Sequence, residues 1–505
     1  MVKKALSYIP SIALVLLVSC FMPLFLFFTN IEAISFIEIA IFMGVFSAIG
    51  LILFTFLRLT TKSTYKAASI TAVVTLIYQN IGRLQPLMGP WLVLLLFIAL
   101  MIAIGIITKK LINEEIAKVF TSVFAIMLAF LCLMNTVTNM GRISAKSSVN
   151  TEVTAEVDEQ YNYLQSFKNG SLKGKLPNIY FFIPDEYAGF NSCEKFLGYD
   201  NKDFMDFLVS HNFSVSTTST NYSSGTMECL ADVFNLEINE NNRYDSTSEA
   251  YCKKKTSQGA LFRMVEDMGY TVRAFQPIDL IDYESESVQY GKIWSTNADG
   301  DLSIDIMFSP TIIYSARDAF LQFLDFFTDG ASVGTGVIHN LANSNADPLR
   351  YFAGEDAEYP DNTFNFCYGL IPHNPFYFDA QGNIVETNHS HNDWTTGKHY
   401  LDQLKYSTDL LTRSIENIIE NDPDSIIIVM SDHGLRIREQ ATDTWMKDMT
   451  PADNADILCA VYCKGEAFTD IEGMCGANVM ITLMNDVYGY EIPYIAQSDD
   501  FYFEN

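Results

Sequence analysis

Basic residues are scarce: of 505 residues, 32 are Lys or Arg and 60 are Asp or Glu, a formal charge of −28. A surface of that sign repels a phosphate backbone, so a nucleic-acid partner is not expected. The chain also has no internal repeat and no low-complexity tract, which argues against a solenoid or a disordered assembly segment. Nine cysteines are present, without the closely spaced pair of pairs that marks a structural zinc site. No small-residue cleavage site follows the first apolar run, which argues against a removable signal peptide.

The basic residues that do occur are unevenly placed. Residues 1–140 hold nine Lys/Arg and four Asp/Glu, and the remainder holds 23 and 56. The first part is also where long apolar runs lie: Ile9–Phe28, Ile34–Leu57, Trp91–Ile107 and Ile116–Val137, each close to the ~20 residues a helix needs to cross a bilayer. Ala67–Ile81 is a shorter, more polar candidate. Counting it gives five crossings and puts Lys3, Lys4, Arg58, Lys62, Lys66, Lys109, Lys110 and Lys118 on one side, with only Arg83 on the other. The positive-inside rule then sets the N-terminus in the cytoplasm and everything beyond about residue 140 outside. The expected organisation is a transmembrane helical domain over 1–140, a polar juxtamembrane linker over 141–175 with a short helix from Val153 to Phe167, and an extracytoplasmic domain over 176–505. Cys193, Cys229, Cys252, Cys367, Cys459, Cys463 and Cys475 fall in the outer part. An odd count cannot pair completely, though one disulfide among the last three is open in an oxidising compartment.

The acidic part alternates strand and helix. Its clearest strand is Ile426–Met430 in DPDSIIIVMSDHGLR, an unbroken apolar run of the kind buried on both faces of a parallel sheet. Asn178–Ile183, Thr271–Gln276, Phe364–Leu370 and Ile457–Cys463 also read as strands. Helical spacing covers Lys202–His211, Met227–Asn235, Gly259–Met268 and Tyr400–Ile419, whereas SVSTTSTNYSSG reads as loop and 281–360 as irregular acidic insertions near the site. Such alternation predicts an α/β fold, a mostly parallel sheet with helices on both faces.

In that class ligands bind beyond the carboxyl ends of the strands. Asp185 follows the first strand, and Asp432 and His433 follow a late one, with Gly434 allowing a sharp turn. Carboxylate and imidazole together suit Mn, Zn or Mg. Read alone, the pair is a helix cap and a packed histidine. In NYSSGTMECLADVFN a Ser/Gly/Tyr loop delivers Thr226 to a helix start, either as a cap or as a metal-bound hydroxyl acidified enough to attack phosphorus. His373, in the Pro-flanked loop of GLIPHNPFYFDAQGN, is placed to bond phosphate oxygens or protonate a leaving group.

Taken together, PNIYFFIPDEYAG, FLGYDNKDF, NYSSGT, HNPFYFDAQGN, YLDQLKYSTDLL and SIIIVMSDHG, continuing through ILCAVYCKGEAF and NVMITLMNDVYGYEIPY, resemble the sulfatase-like branch of the alkaline phosphatase superfamily. The resemblance is to its membrane-anchored members, lipoteichoic acid synthases and phosphoethanolamine or phosphoglycerol transferases, and covers about residues 176–505. It implies an alkaline-phosphatase-like core with one divalent metal (Mn, Mg or Zn) on Asp185, Thr226, Asp432 and His433. Thr226 would be the nucleophile of a phospho-threonine intermediate, and His373 would contact the transferred group. The adjacent Glu186 leaves open which acid binds. HNPF stands where HPPF or HYPF is commoner. Cys229, in ECLADVF, lacks the C/S-x-P/A-x-R context that formylglycine formation requires, so sulfate-ester hydrolysis is disfavoured. The expected activity is transfer of a phospho-alcohol group from a phospholipid donor to a surface glycan or lipid acceptor at the membrane. The alternatives are a phosphodiesterase or phosphatase, and a non-catalytic surface binding protein.

Overall fold

The computed structural model describes residues 8–31, 34, 36–111, 113–170, 175–223, 225–238, 248–277, 280, 287–289, 306–327, 333–385, 397–436, 449–465 and 468–497. The chain divides into two compact units, Met1–Ser148 with Thr296–Gly336, and Val149–Ser295 with Val337–Asn505.

In the first unit four helices are long and apolar enough to cross a membrane: Ile9–Thr29, Phe36–Thr61, Leu87–Thr108 and Glu114–Thr138. The expected fifth crossing is a helix, Thr64–Tyr78, but it has only 15 residues. At 1.5 Å per residue that is about 22 Å, short of a ~30 Å hydrocarbon core. Where about five crossings are expected, the described residues hold four helices of spanning length and this one shorter helix. Its weak apolar signal has a physical cause. Ala67, Ala68, Thr71, Ala72 and Thr75 are buried against neighbouring helices, and Ser69 shares a 3.2 Å hydrogen bond with Thr121. Side chains that face protein need not be as apolar as those that face lipid. The helix Gln85–Leu111 breaks at Gly89, whose φ is +76° just before Pro90, as the pre-proline clash and glycine's freedom allow.

The second unit is built on a seven-stranded sheet: β1 Ile179–Pro184, β2 Ser214–Ser216, β3 Thr271–Gln276, β4 Ser287–Gln289, β5 Thr363–Gly369, β6 Ile426–Met430 and β7 Cys459–Cys463, ordered β2-β7-β6-β1-β5-β3-β4. From β4 to β6 the strands are parallel. β7 runs antiparallel to β6 and to β2. The expected α/β class holds, with a mixed edge. Alternate residues of the central strands feed two cores. Ile179, Phe181, Phe366, Tyr368, Ile426 and Ile428 pack on one face with the helices Thr226–Asn235, Ala260–Asp267 and Gly476–Tyr488. Tyr180, Phe182, Cys367, Ile427 and Val429 pack on the other with the helices Lys202–Ser210 and Gly397–Asn421.

Three expectations change here. Within SVSTTSTNYSSG, Ser214–Ser216 is a short strand, because it pairs with β7 at the sheet edge. The 281–360 stretch is not irregular throughout: it holds helices Ile312–Phe327 and Val333–Arg350, and Thr296–Gly336 groups with the apolar unit. The 141–175 connection is helical from Met140 to Gln165, and in its second half Val153, Val157 and Leu164 are buried. No disulfide joins any of the nine cysteines, Cys459, Cys463 and Cys475 included.

Candidate metal and phosphoryl-transfer site

The site forms at the carboxyl ends of three adjacent parallel strands, β5, β1 and β6. β1 ends in Asp185, β6 in Ser431-Asp432-His433, and β5 carries Tyr368 before leading to His373. One ligand atom each from Asp185, Asp432 and His433 lies within 4.8 Å of the others, and all three residues are buried. Hydrogen bonding has divided each group in the way a cation site requires. Asp432 Oδ1 accepts from the backbone N–H of Glu186 (3.0 Å) and of His433 (2.9 Å), while Asp432 Oδ2 has no hydrogen-bond partner. Asp185 Oδ2 accepts from the Tyr368 hydroxyl, while Asp185 Oδ1 has none. His433 Nδ1 faces the Gly434 carbonyl at 2.9 Å, which fixes its proton there. The other ring nitrogen, Nε2, lies 3.5 Å from each of the two orphaned oxygens.

Two buried carboxylate oxygens without a hydrogen bond call for positive charge beside them; Arg436 Nη2, 2.5 Å from His433 Nε2, brings one such charge to the imidazole side, and the two oxygens and the ring nitrogen converge as cation ligands do. The residues therefore fit a divalent cation, with Asp185 rather than Glu186 in the cluster. Burial pushes the Asp185 carboxyl well above its usual range, and Asp432 adds to the push, whereas Arg436 and the Tyr368 hydrogen bond act against it.

Thr226 is the first residue of its helix. Gly225 is the cap residue, so Thr226 stands at the first helical position, next to the cap rather than at it. The Thr226 side chain lies close enough to Tyr368 to act on its hydroxyl. Tyr368 is 1% exposed. Burial and the acids around it hold its hydroxyl far above the ordinary tyrosine value, so it stays a proton donor. Tyr368 thus stands between Thr226 and Asp185, to which it donates, a role its place in an apolar strand run does not reveal. Its position on the face shared with Leu230, Val233 and Phe234 explains the link, since the Thr226 helix packs there.

His373 sits between two cis prolines, Ile371-Pro372 and Asn374-Pro375. Its backbone N–H donates to the Asp185 carbonyl (3.1 Å), its Nδ1 contacts the Asn374 carbonyl oxygen, and Nε2 lies 3.8 Å from Glu186 Oε2. The ring thus neighbours the cluster through Glu186. Three further residues border the cluster: Glu186, which the sequence offers as an alternative ligand, and Asn221 and Arg436, which it does not single out. Glu186, at φ +63°, accepts the Arg436 backbone N–H at 3.1 Å. Asn221, in NYSSGT, donates to the Asp432 carbonyl at 2.5 Å and fastens that loop to the SDHG turn. Arg436 Nη2 stands 2.5 Å from His433 Nε2, in the field of Glu186, Asp185 and Asp432. The one Lys or Arg of SDHGLR, two residues after its glycine, is the signal that points there.

Gly434 serves the turn through closeness, not through a left-handed φ. A Cβ there would collide with the Asp456 carbonyl oxygen and lie 2.7 Å from that of Asn454.

No protein-family model matches the chain, and no curated protein does. Among solved structures, the chain is similar to the C-terminal periplasmic domain of EcEptC from Escherichia coli in complex with Zn, at 11% identity and a TM-score of 0.40, covering 66% of this chain and 91% of that one. It is also similar to the integral membrane lipooligosaccharide phosphoethanolamine transferase A (EptA) from Neisseria meningitidis, at 11% identity and a TM-score of 0.35, covering 94% and 96%. A third is the lipoteichoic acid synthase LtaP from Listeria monocytogenes, at 12% identity and a TM-score of 0.36, covering 68% and 79%.

Proposed function

We propose that the chain is a membrane-bound, metal-dependent phosphotransferase that moves a phospho-alcohol group, phosphoglycerol or phosphoethanolamine, from a phospholipid to a surface glycan or lipid. The observation that carries this reading is the pair of orphaned oxygens, Asp185 Oδ1 and Asp432 Oδ2, set 3.5 Å from His433 Nε2, with Thr226 beside Tyr368, whose hydroxyl donates to Asp185. Four apolar helices of spanning length support a bilayer location, and with the short helix Thr64–Tyr78 as a fifth crossing the Lys/Arg asymmetry supports an extracytoplasmic site.

Asp185, Asp432, His433 and Thr226 would hold one divalent ion, Mn, Mg or Zn. When bound, that ion lowers the pKa of the threonine hydroxyl and offsets charge on the phosphoryl oxygens. Thr226 Oγ then attacks the donor phosphorus. An O–P bond to Thr226 forms as its hydroxyl proton leaves, the P–O bond to the glyceride breaks, and the glyceride oxygen takes a proton, for which His373, with Nε2 3.8 Å from Glu186 Oε2, is the candidate donor. Next an acceptor hydroxyl gives up its proton and attacks the same phosphorus, releasing Thr226. The helix N-terminus at Thr226 favours the anion throughout. Arg436 supplies a second positive charge beside the reacting group.

Transfer and hydrolysis share the first half of this sequence and differ in what attacks second. The full chain in vesicles, given a head-group-labelled phospholipid with membrane extract as acceptor source, should move label to a glycan or lipid. Release of all label as a free small molecule would replace transferase by hydrolase. Failure of the protein to bind metal would leave the non-catalytic reading.

A further inference from the structure

The helix Ile312–Phe327 belongs by sequence position to the acidic part, but by its packing to the apolar unit. Its approach is close. Gly82 donates its N–H to the Pro310 carbonyl at 2.9 Å, and a Cβ on Gly82 would lie 2.5 Å from Thr311 O and 2.7 Å from Ser309 O. Gln85 donates to Asp318 at 2.5 Å. Just upstream, Met307 is 1% exposed and Phe308 stacks on Phe46 at 5.3 Å between ring centroids. The small residues Thr311, Ser315 and Ala319, spaced by four, form the buried face.

The opposite face is what an ordinary surface helix would not have. Ile313, Ala316 and Phe320 are exposed, Ile313 at 44% and Phe320 at 58%. The nearby charges are already spent on local contacts, with Arg317 paired to Asp318 at 3.0 Å and stacked on Tyr314. This helix packs on a span that itself exposes Leu87, Met88, Trp91 and Leu92. The helix therefore lies against an element whose surface is of the kind that meets acyl chains, and an amphipathic helix at a membrane boundary buries such a stripe in it.

We propose that the helix Ile312–Phe327 is an interfacial element whose Ile313–Ala316–Phe320 stripe is seated among phospholipid acyl chains at the bilayer boundary. The proposal rests on the reading that the four long apolar helices cross a membrane. Its consequence is that the segment after Ser295 is tethered to the bilayer before the chain re-enters the second unit at Val337.

The test uses the full chain reconstituted in phosphatidylcholine vesicles, with acyl-brominated phosphatidylcholine as the apolar quencher and iodide as the aqueous one. Phe320→Trp and Ile313→Trp each add one emitter at a position open enough to take it. The difference between wild type and Trp91→Phe reports the span. The added emission should be lost in brominated vesicles and should persist in iodide, as the Trp91 component does. Quenching by iodide instead would show the stripe facing water. Quenching by neither would show it covered by protein, the second unit or another copy. Either result overturns the proposal. If the Trp91 component itself ignores the bromines, the spanning reading has failed and the proposal falls with it, so the two failures are distinguishable.

Discussion

Tyr368→Phe should weaken metal binding although Tyr368 ligates nothing. The substitution removes one oxygen from a residue that is 1% exposed and leaves the ring's packing in place. That oxygen donates to Asp185 Oδ2, and Asp185 Oδ1 has no other partner. Without the donor, neither Asp185 side-chain oxygen keeps a hydrogen bond. A buried polar group left in that state costs about 1–3 kcal/mol of stability. Metal ligands that lose an orienting partner of this kind typically lose 10–100-fold in affinity, roughly 1.4–2.7 kcal/mol. The direction of the pH effect also follows. The Tyr368 hydrogen bond holds the Asp185 carboxyl down against a strong upward push from burial. Its removal raises that carboxyl further, protons compete better with the cation, and part of the lost affinity should return as pH rises. Calorimetric titration of Mn into the detergent-solubilised full chain, beside thermal denaturation without added metal, measures both. Affinity equal to wild type would refute the idea that Tyr368 orients Asp185 for a cation.

Asp432→Asn should keep the fold, since an amide oxygen can still accept from Glu186 and His433 N–H, yet lose bound metal by elemental analysis. Gly434→Ala should destabilise the second unit by about 1–3 kcal/mol, the usual cost of forcing an atom into close packing, because the new Cβ meets the backbone at Asn454 and Asp456. Its Tm should fall. Burial raises the Asp456 carboxyl to about 6. An acid raised on folding contributes stability at pH below its unfolded value that is lost as pH climbs to the folded one. Asp456→Asn should therefore match or exceed wild type above about pH 6, with the difference closing in acid, followed by denaturant unfolding across that range.

How much of this was legible in the sequence depended on what each residue faces. Ile426–Met430 was plain because a strand buried on both faces must be apolar at every position, and all five residues are buried. Asp185, Asp432 and His433 were legible because they directly follow such runs. The start of the helix at Thr226 was marked by the loop before it. Tyr368 was hidden because its ring is a good strand residue, and only the partner on the next strand gives its hydroxyl work. Arg436 and Glu186 depend on chain segments brought together from 250 residues apart. The short helix Thr64–Tyr78 gave a weak signal because its neighbours are protein. The helix Ile312–Phe327 was missed because the acidic average of 281–360 masked an apolar segment within it.

The central claim is that Thr226 becomes an attacking oxygen beside a cation held by Asp185, Asp432 and His433. Mass analysis of the full chain, quenched early after exposure to a head-group-labelled phospholipid, tests it most directly. The account predicts the phospho-alcohol adduct on the peptide carrying Thr226, absent from Thr226→Ala and from metal-stripped protein. Turnover by Thr226→Ala, or an adduct on another side chain, would contradict it.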